Sequence, residues 1–226
     1  MPSTAVLRPP GAVARPAAAP SVIAQPSLLG LGAPTFDHTF AGIERLELER
    51  NAWIDHLPGW LDGHQVVFDE LAAAVGWEQH QRPMYERMVD VPRLTGGLPD
   101  AMTGEVSSVI DGMAAALGER YGSVFERIGL GFYRNGADSV AWHGDMVARN
   151  LHQALVATVS VGEPRPFRLR PKNGGESIEF RLGHGDLVVM GGTCQRTWDH
   201  CVPKVARAGP RIAIMFRPLW PGLPQA

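Results

Sequence analysis

The spacing of hydrophobic residues changes twice along the chain. Residues 1–37 are rich in Pro, Ala and Ser and have neither a helical nor a strand period, which predicts a flexible tail. Residues 61–77 and 103–122 then place apolar residues at intervals of three and four, the spacing of amphipathic helices. From Ile128 onward, short β-rich runs alternate with Gly, Pro and Asn. We expect a single folded domain over residues 38–222.

The helical patterns have recognisable ends. Asp62 and Thr103 stand where an oxygen-bearing side chain can cap a first turn, and Gly122 stands where a left-handed residue ends a helix. Residues 43–50 have the pattern of a strand. Two helices followed by a series of short strands are typical of an α+β, mainly β domain. We expect a two-sheet sandwich or jelly roll, with N-terminal helices bracing one sheet.

Composition excludes several classes of protein. A chain of 226 residues with 45% hydrophobic and 19% charged residues is long and apolar enough to bury a full core. The formal net charge of −2 gives the whole protein no attraction for polyanions, so contact with nucleic acid would need a local basic patch. Because no long apolar run is present, we expect no contact with a membrane.

The cysteines indicate the compartment. Cys194 and Cys201 are too few for a disulfide scaffold or, by themselves, for a structural zinc site. We therefore expect reduced thiols and a cytoplasmic location. A monomer is the default expectation, since the sequence gives no sign of an oligomer.

Two copies of a His-Gly-Asp tripeptide are the first candidates for chemistry. They occupy residues 143–145 and 184–186. On a strand, residues i and i+2 point to the same side, so either copy could present a histidine and a carboxylate to one metal ion. A site with two histidines and one carboxylate needs a further ligand from elsewhere in the chain, and His200 is the best candidate.

The length of chain between each tripeptide and His200 distinguishes the two copies. From Asp186 to His200 it passes through a plain hairpin, which leaves residues 184–186 as the turn that enters a strand. From Asp145 to His200 it passes through several strands, long enough to cross between sheets and return opposite the first pair. We therefore assign the metal to His143, Asp145 and His200. A surface turn at the first tripeptide is the alternative that spacing alone leaves open.

A strand near the end of the chain carries two arginines on one face. Residues 211–217 lie between two prolines, and Arg211 and Arg217 point the same way because they are an even number of positions apart. A buried guanidinium needs an anion, and its fork matches a carboxylate. The pattern predicts a clamp for a dicarboxylate such as 2-oxoglutarate, a bidentate partner that fits an iron(II) ion with three protein ligands. A solvated face, or pairing with Asp or Glu, is the alternative.

Several segments, taken together and in order, resemble one known protein family. FYRNGADSVAWHGD, HGDLVVMGGTCQRTWDHCVPK and PRIAIMFRP, in this order, resemble the AlkB family of iron(II)- and 2-oxoglutarate-dependent dioxygenases, most closely the branch that repairs alkylated DNA and RNA. VPRLTGGLP resembles the Pro-Arg-Leu-Thr segment of that branch, so the resemblance covers about Val91 to Pro218. It implies a double-stranded β-helix, a form of jelly roll, with iron(II) and 2-oxoglutarate as cofactors. The residues that match the family's iron ligands are His143, Asp145 and His200, and those that match its 2-oxoglutarate contacts are Tyr133, Arg211 and Arg217.

Some positions near the cofactors depart from the family's pattern. Gly131 stands where the family has Asn, and Ala213 and Met215 stand where it has Asn and Thr between the two arginines. These changes remove polar contacts to the cosubstrate, so we expect weaker binding of 2-oxoglutarate.

The substrate side departs as well. Met146 and Val147 replace acidic residues that contact the lesion in the family, and Gly96 and Gly97 replace aromatic residues that stack on the base. Position 146 and Arg93, in the Pro-Arg-Leu-Thr segment, remain candidate substrate contacts through the resemblance.

Basic and aromatic residues supply further candidates for substrate binding. Arg170 and Lys172 share a face if residues 165–172 are extended, and backbone phosphates could bind there. A solvated edge strand is the alternative. Trp142, beside the predicted iron ligands, could stack on a base or belong to the core.

The resemblance predicts oxidative removal of N-alkyl groups from bases in DNA or RNA, a repair of alkylation damage. The expected partner is alkylated single-stranded DNA or RNA, or a base flipped out of a duplex. The same chemistry on a protein, lipid or small molecule is the alternative, favoured by the missing acidic and aromatic residues. A binding protein without activity is less consistent with the intact candidate ligands.

Overall fold

Two β-sheets of unequal size form the body of the molecule. The computed structural model describes residues 31–84, 87–145 and 151–219. The strands are β1 (Thr35–Phe36), β2 (Glu44–Glu47), β3 (Ala52–Leu57), β4 (Leu61–Asp62), β5 (Glu78–Met84), β6 (Arg87–Gly97), β7 (Arg127–Tyr133), β8 (Val140–His143), β9 (Val156–Gly162), β10 (Arg165–Pro171), β11 (Ile178–Leu182), β12 (Asp186–Gly192), β13 (Trp198–Val202) and β14 (Arg211–Arg217). The helices are α1 (His64–Ala74), α2 (Glu105–Tyr121) and the short α3 (Cys194–Thr197).

The sheets have the crossed strand order of a jelly roll. The larger sheet has eight strands in the order β2-β3-β12-β9-β14-β7-β6-β5, and the smaller has four in the order β11-β10-β13-β8. Neighbouring strands in both sheets are antiparallel. Since β8 and β9 follow each other in sequence but lie in different sheets, the chain crosses between the sheets beside the predicted metal ligands. The mainly β architecture with bracing helices is confirmed.

The strand β14 shows how the alternating pattern divides the core. Ile212, Ile214 and Phe216 pack with α1 and α2 in the cluster between the helices and the larger sheet. Ala213 and Met215 belong to a second cluster between the two sheets. The face that carries Arg211 and Arg217 therefore points into the space between the sheets, as the spacing predicts.

The predicted helix caps are wrong. Gly63 and Gly104 occupy the N-cap positions, and neither helix has a side-chain cap bond. Asp62 belongs to β4, which pairs with β1, so α1 begins later than its apolar pattern. The predicted C-terminal end of α2 is confirmed, because Gly122 has φ 63° in the left-handed region.

The start of the folded part lies within the expected tail. Thr35 and Phe36 form β1 against Leu61 and Asp62, although both fall within residues 1–37. Residues 1–30 lie outside the described residues. In the part of the chain that the structure describes, no helix is long and apolar enough to cross a membrane.

The second His-Gly-Asp tripeptide is a turn, as predicted. His184 and Gly185 have φ values of 51° and 90°, and β12 begins at Asp186. The Asp186 carboxylate accepts hydrogen bonds from the backbone N–H groups of Gly183 and Gly59, at 3.1 and 2.8 Å. Its oxygens therefore hold the turn and its neighbouring loop together.

The turn generates a prediction about stability. We expect His184→Ala to lower the free energy of unfolding by about 1 kcal/mol, because alanine tolerates the left-handed region poorly. His184→Gly is the matched control, since glycine adopts this conformation without strain. Thermal unfolding of the three proteins measures the difference. Equal loss of stability in both variants would show that the ring's contact with His64, 5.4 Å between centroids, is what matters instead.

Candidate active site

Two histidines meet in the space between the sheets. The pairing of β13 with β8 sets His200 opposite His143, and their ring centroids are 4.3 Å apart. Phe167 of β10 lies 5.6 Å from the His200 ring and closes the side of the smaller sheet. The sequence-predicted pair therefore comes together from strands that are far apart in the chain.

Both histidines favour the neutral form. Burial lowers the pKa of His200 well below its ordinary value, and the nearby His143, Arg217 and Arg93 lower it further. Burial also lowers the pKa of His143. The His143 Nδ1 lies 2.8 Å from the carbonyl oxygen of Ala141, which only accepts, so Nδ1 carries the hydrogen and Nε2 keeps its lone pair. Neutral imidazoles are the form that binds metal ions.

Asp145 lies just beyond the end of β8. Its backbone N–H donates to Oε1 of Gln195 at 2.9 Å, and its carboxylate accepts from Nε of Arg217 at 2.5 Å. It is close enough to His143 to oppose the lowering of that histidine's pKa. Within the described ranges, no three His, Cys, Asp or Glu side chains are arranged to hold a metal ion, and the Asp145 carboxylate contacts Arg217 instead.

The second arginine of the pair, Arg211, is almost fully buried, with 1% of its surface exposed. Its Nη2 donates to the Ser160 hydroxyl at 2.5 Å, whereas its buried Nε and Nη1 have no hydrogen-bond partner among the described residues. Burial lowers the pKa of Arg211 to about 10. A buried guanidinium with two unused donors fits an anionic ligand, because leaving such donors unsatisfied is costly.

Tyr133 stands beside this guanidinium. It pairs with Arg211 across β7 and β14, and the Arg211 guanidinium carbon lies 5.2 Å from the ring centroid. The Tyr133 hydroxyl accepts a hydrogen bond from Nη1 of Arg93 at 3.2 Å, which leaves its own proton available to a ligand. The residue that the resemblance matched to cosubstrate binding therefore adjoins the predicted clamp.

Arg165 completes the cluster around the tyrosine. It is fully buried, its guanidinium carbon lies 5.6 Å from the Tyr133 ring, and it donates to the carbonyl oxygens of Asn135, Asp138 and Pro203. It therefore fixes the loops around the site and does not belong to the exposed basic face of β10.

Positive charge exceeds negative charge in this space. Arg93, Arg165 and Arg211 have no carboxylate hydrogen-bonded to them among the residues that the structure describes. A dicarboxylate would offset this excess, and two neutral imidazoles beside a carboxylate are the donor set of a mononuclear iron(II) site. The donor types present therefore fit an iron(II) ion and a keto acid, although the side chains of His143, His200 and Asp145 are not arranged as a metal-binding group among the described residues.

A comparison with models of protein families identifies the family of this chain. Residues 55–217 match the model of the 2OG-Fe(II) oxygenase superfamily. The chain belongs to this superfamily. Its name indicates iron(II) and 2-oxoglutarate, the two groups that the donor types of the site match.

Individual relatives and a solved structure agree with this family. The chain is 32% identical over 186 residues to alpha-ketoglutarate-dependent dioxygenase alkB homolog 3 from Bos taurus, covering 73% of this chain and 65% of that protein. It is 35% identical over 120 residues to DNA oxidative demethylase ALKBH2 from Arabidopsis thaliana, covering 42% and 38% of the two chains. A crystal structure of a 2OG-Fe(II) oxygenase family oxidoreductase from Burkholderia pseudomallei shares the fold. Its TM-score is 0.53, with 14% identity and coverage of 73% of this chain and 84% of that one.

The structure does not bring the predicted substrate contacts together at one position. Arg170 lies over the Trp142 ring, with its guanidinium carbon 4.3 Å from the centroid, and both residues are half-buried. Lys172 donates to the backbone oxygen of Gln195 at 2.9 Å, close to Gly144. Arg93 faces the site through Tyr133. Met146 lies outside the described residues.

Two contributors to the site, Ser160 and Gln195, were missed by sequence reasoning. Ser160 and Thr158 are polar at alternate positions of the otherwise apolar β9, and this alternation is a signal that the inner face needs polar groups. Gln195 is 1% exposed and lies in α3, where no pattern links it to Asp145. Its contact is visible only once the strands are folded together.

The contact between Gln195 and Asp145 generates a prediction. We expect Gln195→Leu to weaken binding of Mn²⁺, a redox-inert substitute for iron(II), by about 10- to 100-fold, because the backbone beside the aspartate loses its acceptor. Gln195→Glu keeps an acceptor oxygen and is the matched control. Anaerobic calorimetry measures the affinity, and thermal unfolding checks the fold. Unchanged Mn²⁺ affinity in Gln195→Leu would contradict the proposal that Gln195 positions Asp145 for metal binding.

The unused donors of Arg211 generate a second prediction. We expect Arg211→Met to weaken 2-oxoglutarate binding to the Mn²⁺-loaded protein by about 2 to 3 kcal/mol, because hydrogen bonds to a charged group are lost. Arg168→Met is the control, since that arginine pairs with Glu179 at 2.6 Å, away from the site. Calorimetric titration with 2-oxoglutarate distinguishes them. Equal affinities of the Arg211→Met and wild-type proteins would place the cosubstrate elsewhere.

Proposed function

We propose that this protein is an iron(II)- and 2-oxoglutarate-dependent dioxygenase that removes N-alkyl groups from bases in DNA or RNA and so repairs alkylation damage. The observation that carries the proposal is the meeting of His143 and His200, 4.3 Å apart, with the Arg217-bound Asp145 and the buried Arg211. The similarity to an alkB homolog 3 and to a DNA oxidative demethylase supports the choice of nucleic acid as substrate.

The chain's own residues have defined tasks in this proposal. Nε2 of His143, the His200 imidazole and the Asp145 carboxylate would hold the metal. Iron(II) would supply the activation of dioxygen, of which one oxygen atom oxidises 2-oxoglutarate to succinate and CO2 and the other hydroxylates the N-alkyl carbon. The hydroxylated group then leaves the base as an aldehyde. Arg217 orients the Asp145 carboxylate through the 2.5 Å contact.

The clamp for the keto acid lies deeper between the sheets. Arg211 binds a carboxylate through Nε and Nη1, and the Tyr133 hydroxyl donates its free proton to the same anion. Tyr133 is 2% exposed and Arg211 1%, so water is excluded from this end of the site. Exclusion of water strengthens each of these charged hydrogen bonds.

The substrate enters from the more open side. Arg93 donates to the Tyr133 hydroxyl and is the candidate contact for an incoming base. Lys172 and Arg170 supply positive charge for backbone phosphates. The Lys172 ammonium keeps a donor beyond its bond to Gln195 and its ion pair with Asp199 at 3.9 Å. The base is presented from a single strand or flipped out of a duplex. Cys194 and Cys201 are free and buried, which is consistent with the reducing conditions of the cytoplasm.

A second candidate is the same chemistry on a protein, lipid or small molecule. One observation favours it. A side-chain atom at Gly96 would lie 2.5 Å from Cγ1 of Val75, so close packing of β6 on the segment after α1 leaves no room there for an aromatic residue that could stack on a base.

Turnover on a panel of methylated oligonucleotides tests the proposal. We expect succinate release to be stimulated by single-stranded DNA or RNA that carries N-methylated bases, with formaldehyde as the coproduct. His143→Ala should abolish turnover because it removes a metal ligand, whereas the turn variant His184→Ala should keep it. Succinate release that is insensitive to every oligonucleotide would favour the second candidate. Equal activity of the two variants would refute the metal assignment.

A further inference from the structure

A cleft of about 470 Å³ lies against the three strands that build the site. It is lined by residues 90–92 of β6, residues 139–142 in and before β8, and residues 201–204 in and after β13. None of the proposed metal or cosubstrate ligands contributes to its walls.

Residues that line the cleft are sequence neighbours of residues in the active site. Pro92 precedes Arg93, Trp142 precedes His143, and Cys201 follows His200. Leu169 of β10 pairs with His200 of β13, so the neighbouring Arg170 and Cys201 lie on the outer face of these strands. The register of β8 is irregular between Val140 and His143, and the Arg170 guanidinium over the Trp142 ring shows that this ring lies on the outer face as well. The cleft therefore borders the active site along the strands that carry its histidines.

The backbone around the cleft is fixed. The Ser139 N–H donates to the carbonyl oxygen of Pro92 at 2.6 Å and joins β6 to the start of β8. The buried Arg165 donates to the carbonyl oxygen of Pro203 at 2.9 Å and holds the segment after β13. The cleft is therefore a feature of the folded framework.

The walls of the cleft combine an aromatic ring with apolar and charged groups. Trp142 lies at one side with the Arg170 guanidinium over its ring, and Val91 and Pro92 supply apolar surface. The exposed Asp90 and Lys204 provide an acceptor and a cation. An aromatic side chain stacks on any base, cations bind phosphates, and a carboxylate accepts from the exocyclic amino group of cytosine.

We propose that this cleft binds the unpaired base of a nucleotide that flanks the alkylated one in the same strand. The base stacks on Trp142, and its phosphate lies near Arg170 and Lys204. The inference rests on the proposed function and specifies its substrate as a single-stranded oligonucleotide rather than an isolated nucleotide. A paired base cannot enter the cleft, since its stacking face and its pairing edge are occupied in a duplex.

Substitution of Trp142 tests the cleft. The probe is a fluorescent pentanucleotide of single-stranded DNA with a central 1-methyladenine, bound to the protein with Mn²⁺ and 2-oxoglutarate. We expect Trp142→Ala to weaken binding roughly 5- to 100-fold, the effect of losing one stacked base. Trp142→Phe should restore most of the affinity, because the smaller ring still stacks. Fluorescence anisotropy measures the dissociation constants.

Two comparisons complete the experiment. Arg168→Ala is the control for a general loss of positive charge, because Arg168 lies on the same strand as Arg170 but pairs with Glu179 at 2.6 Å. The ratio of KM for the methylated mononucleotide to KM for the pentanucleotide should be large in the wild type and markedly smaller in Trp142→Ala, which keeps only the phosphate contacts. A structural defect in the alanine variant would not be rescued selectively by phenylalanine.

The outcomes separate the two proposals. If the wild-type protein oxidises the mononucleotide and the pentanucleotide with equal KM, and Trp142→Ala binds the pentanucleotide normally, the cleft inference is wrong while the proposed function stands. If the wild type releases no formaldehyde from either substrate under iron(II) and 2-oxoglutarate, both are wrong. Loss of affinity in Trp142→Ala with rescue by Trp142→Phe supports the cleft inference, and formaldehyde release from the pentanucleotide by the wild type supports the proposed function.

Discussion

The structure depends on guanidinium groups that are buried without carboxylate partners. Arg211 and Arg165 have 1% and 0% of their surface exposed, and burial lowers the pKa of both. Arg165 satisfies its donors with backbone carbonyls and holds loops, whereas Arg211 keeps two donors unused. Unused donors on a buried charge, as in Arg211, are costly for folding, and an anion that accepts from them offsets this cost. Binding of an anionic ligand should therefore stabilise the fold.

The features that could be predicted from the sequence are those that a local pattern of residues determines. The alternation along β14 predicted that Arg211 and Arg217 lie on one face. The apolar stripe of α2 predicted a helix that packs against a sheet, and α2 packs against the larger sheet. The choice of His143 over His184 as a metal ligand used only loop length and turn chemistry. The structure places His143 against His200 and His184 in a turn, because antiparallel pairing of β13 with β8 requires the long connection.

The parts that could not be predicted depend on pairs of residues distant in sequence. Asp62 looked like a cap, but it is used by the pairing of β4 with β1. Arg165 stands at the start of the basic segment 165–172, but no local pattern indicates that its guanidinium lies beside Tyr133 between the sheets. Gln195 reaches Asp145 across fifty positions of chain, and no local pattern specifies such a contact. Neither a cap signal nor a charge run contains information on which face a tertiary partner will cover.

Strand register links the chemistry inside the fold to the surface outside it. The pairing of Leu169 with His200 sets Arg170 and Cys201 on the opposite face. The Arg170 guanidinium over the Trp142 ring places that ring with them, although the register of β8 is irregular between Val140 and His143. A shift of one residue would exchange the faces and remove a metal ligand and the stacking ring together. The geometry that brings the ligands together therefore also determines where a strand of nucleic acid can lie, so that one hydrogen-bonded register accounts for both the site and its candidate substrate surface.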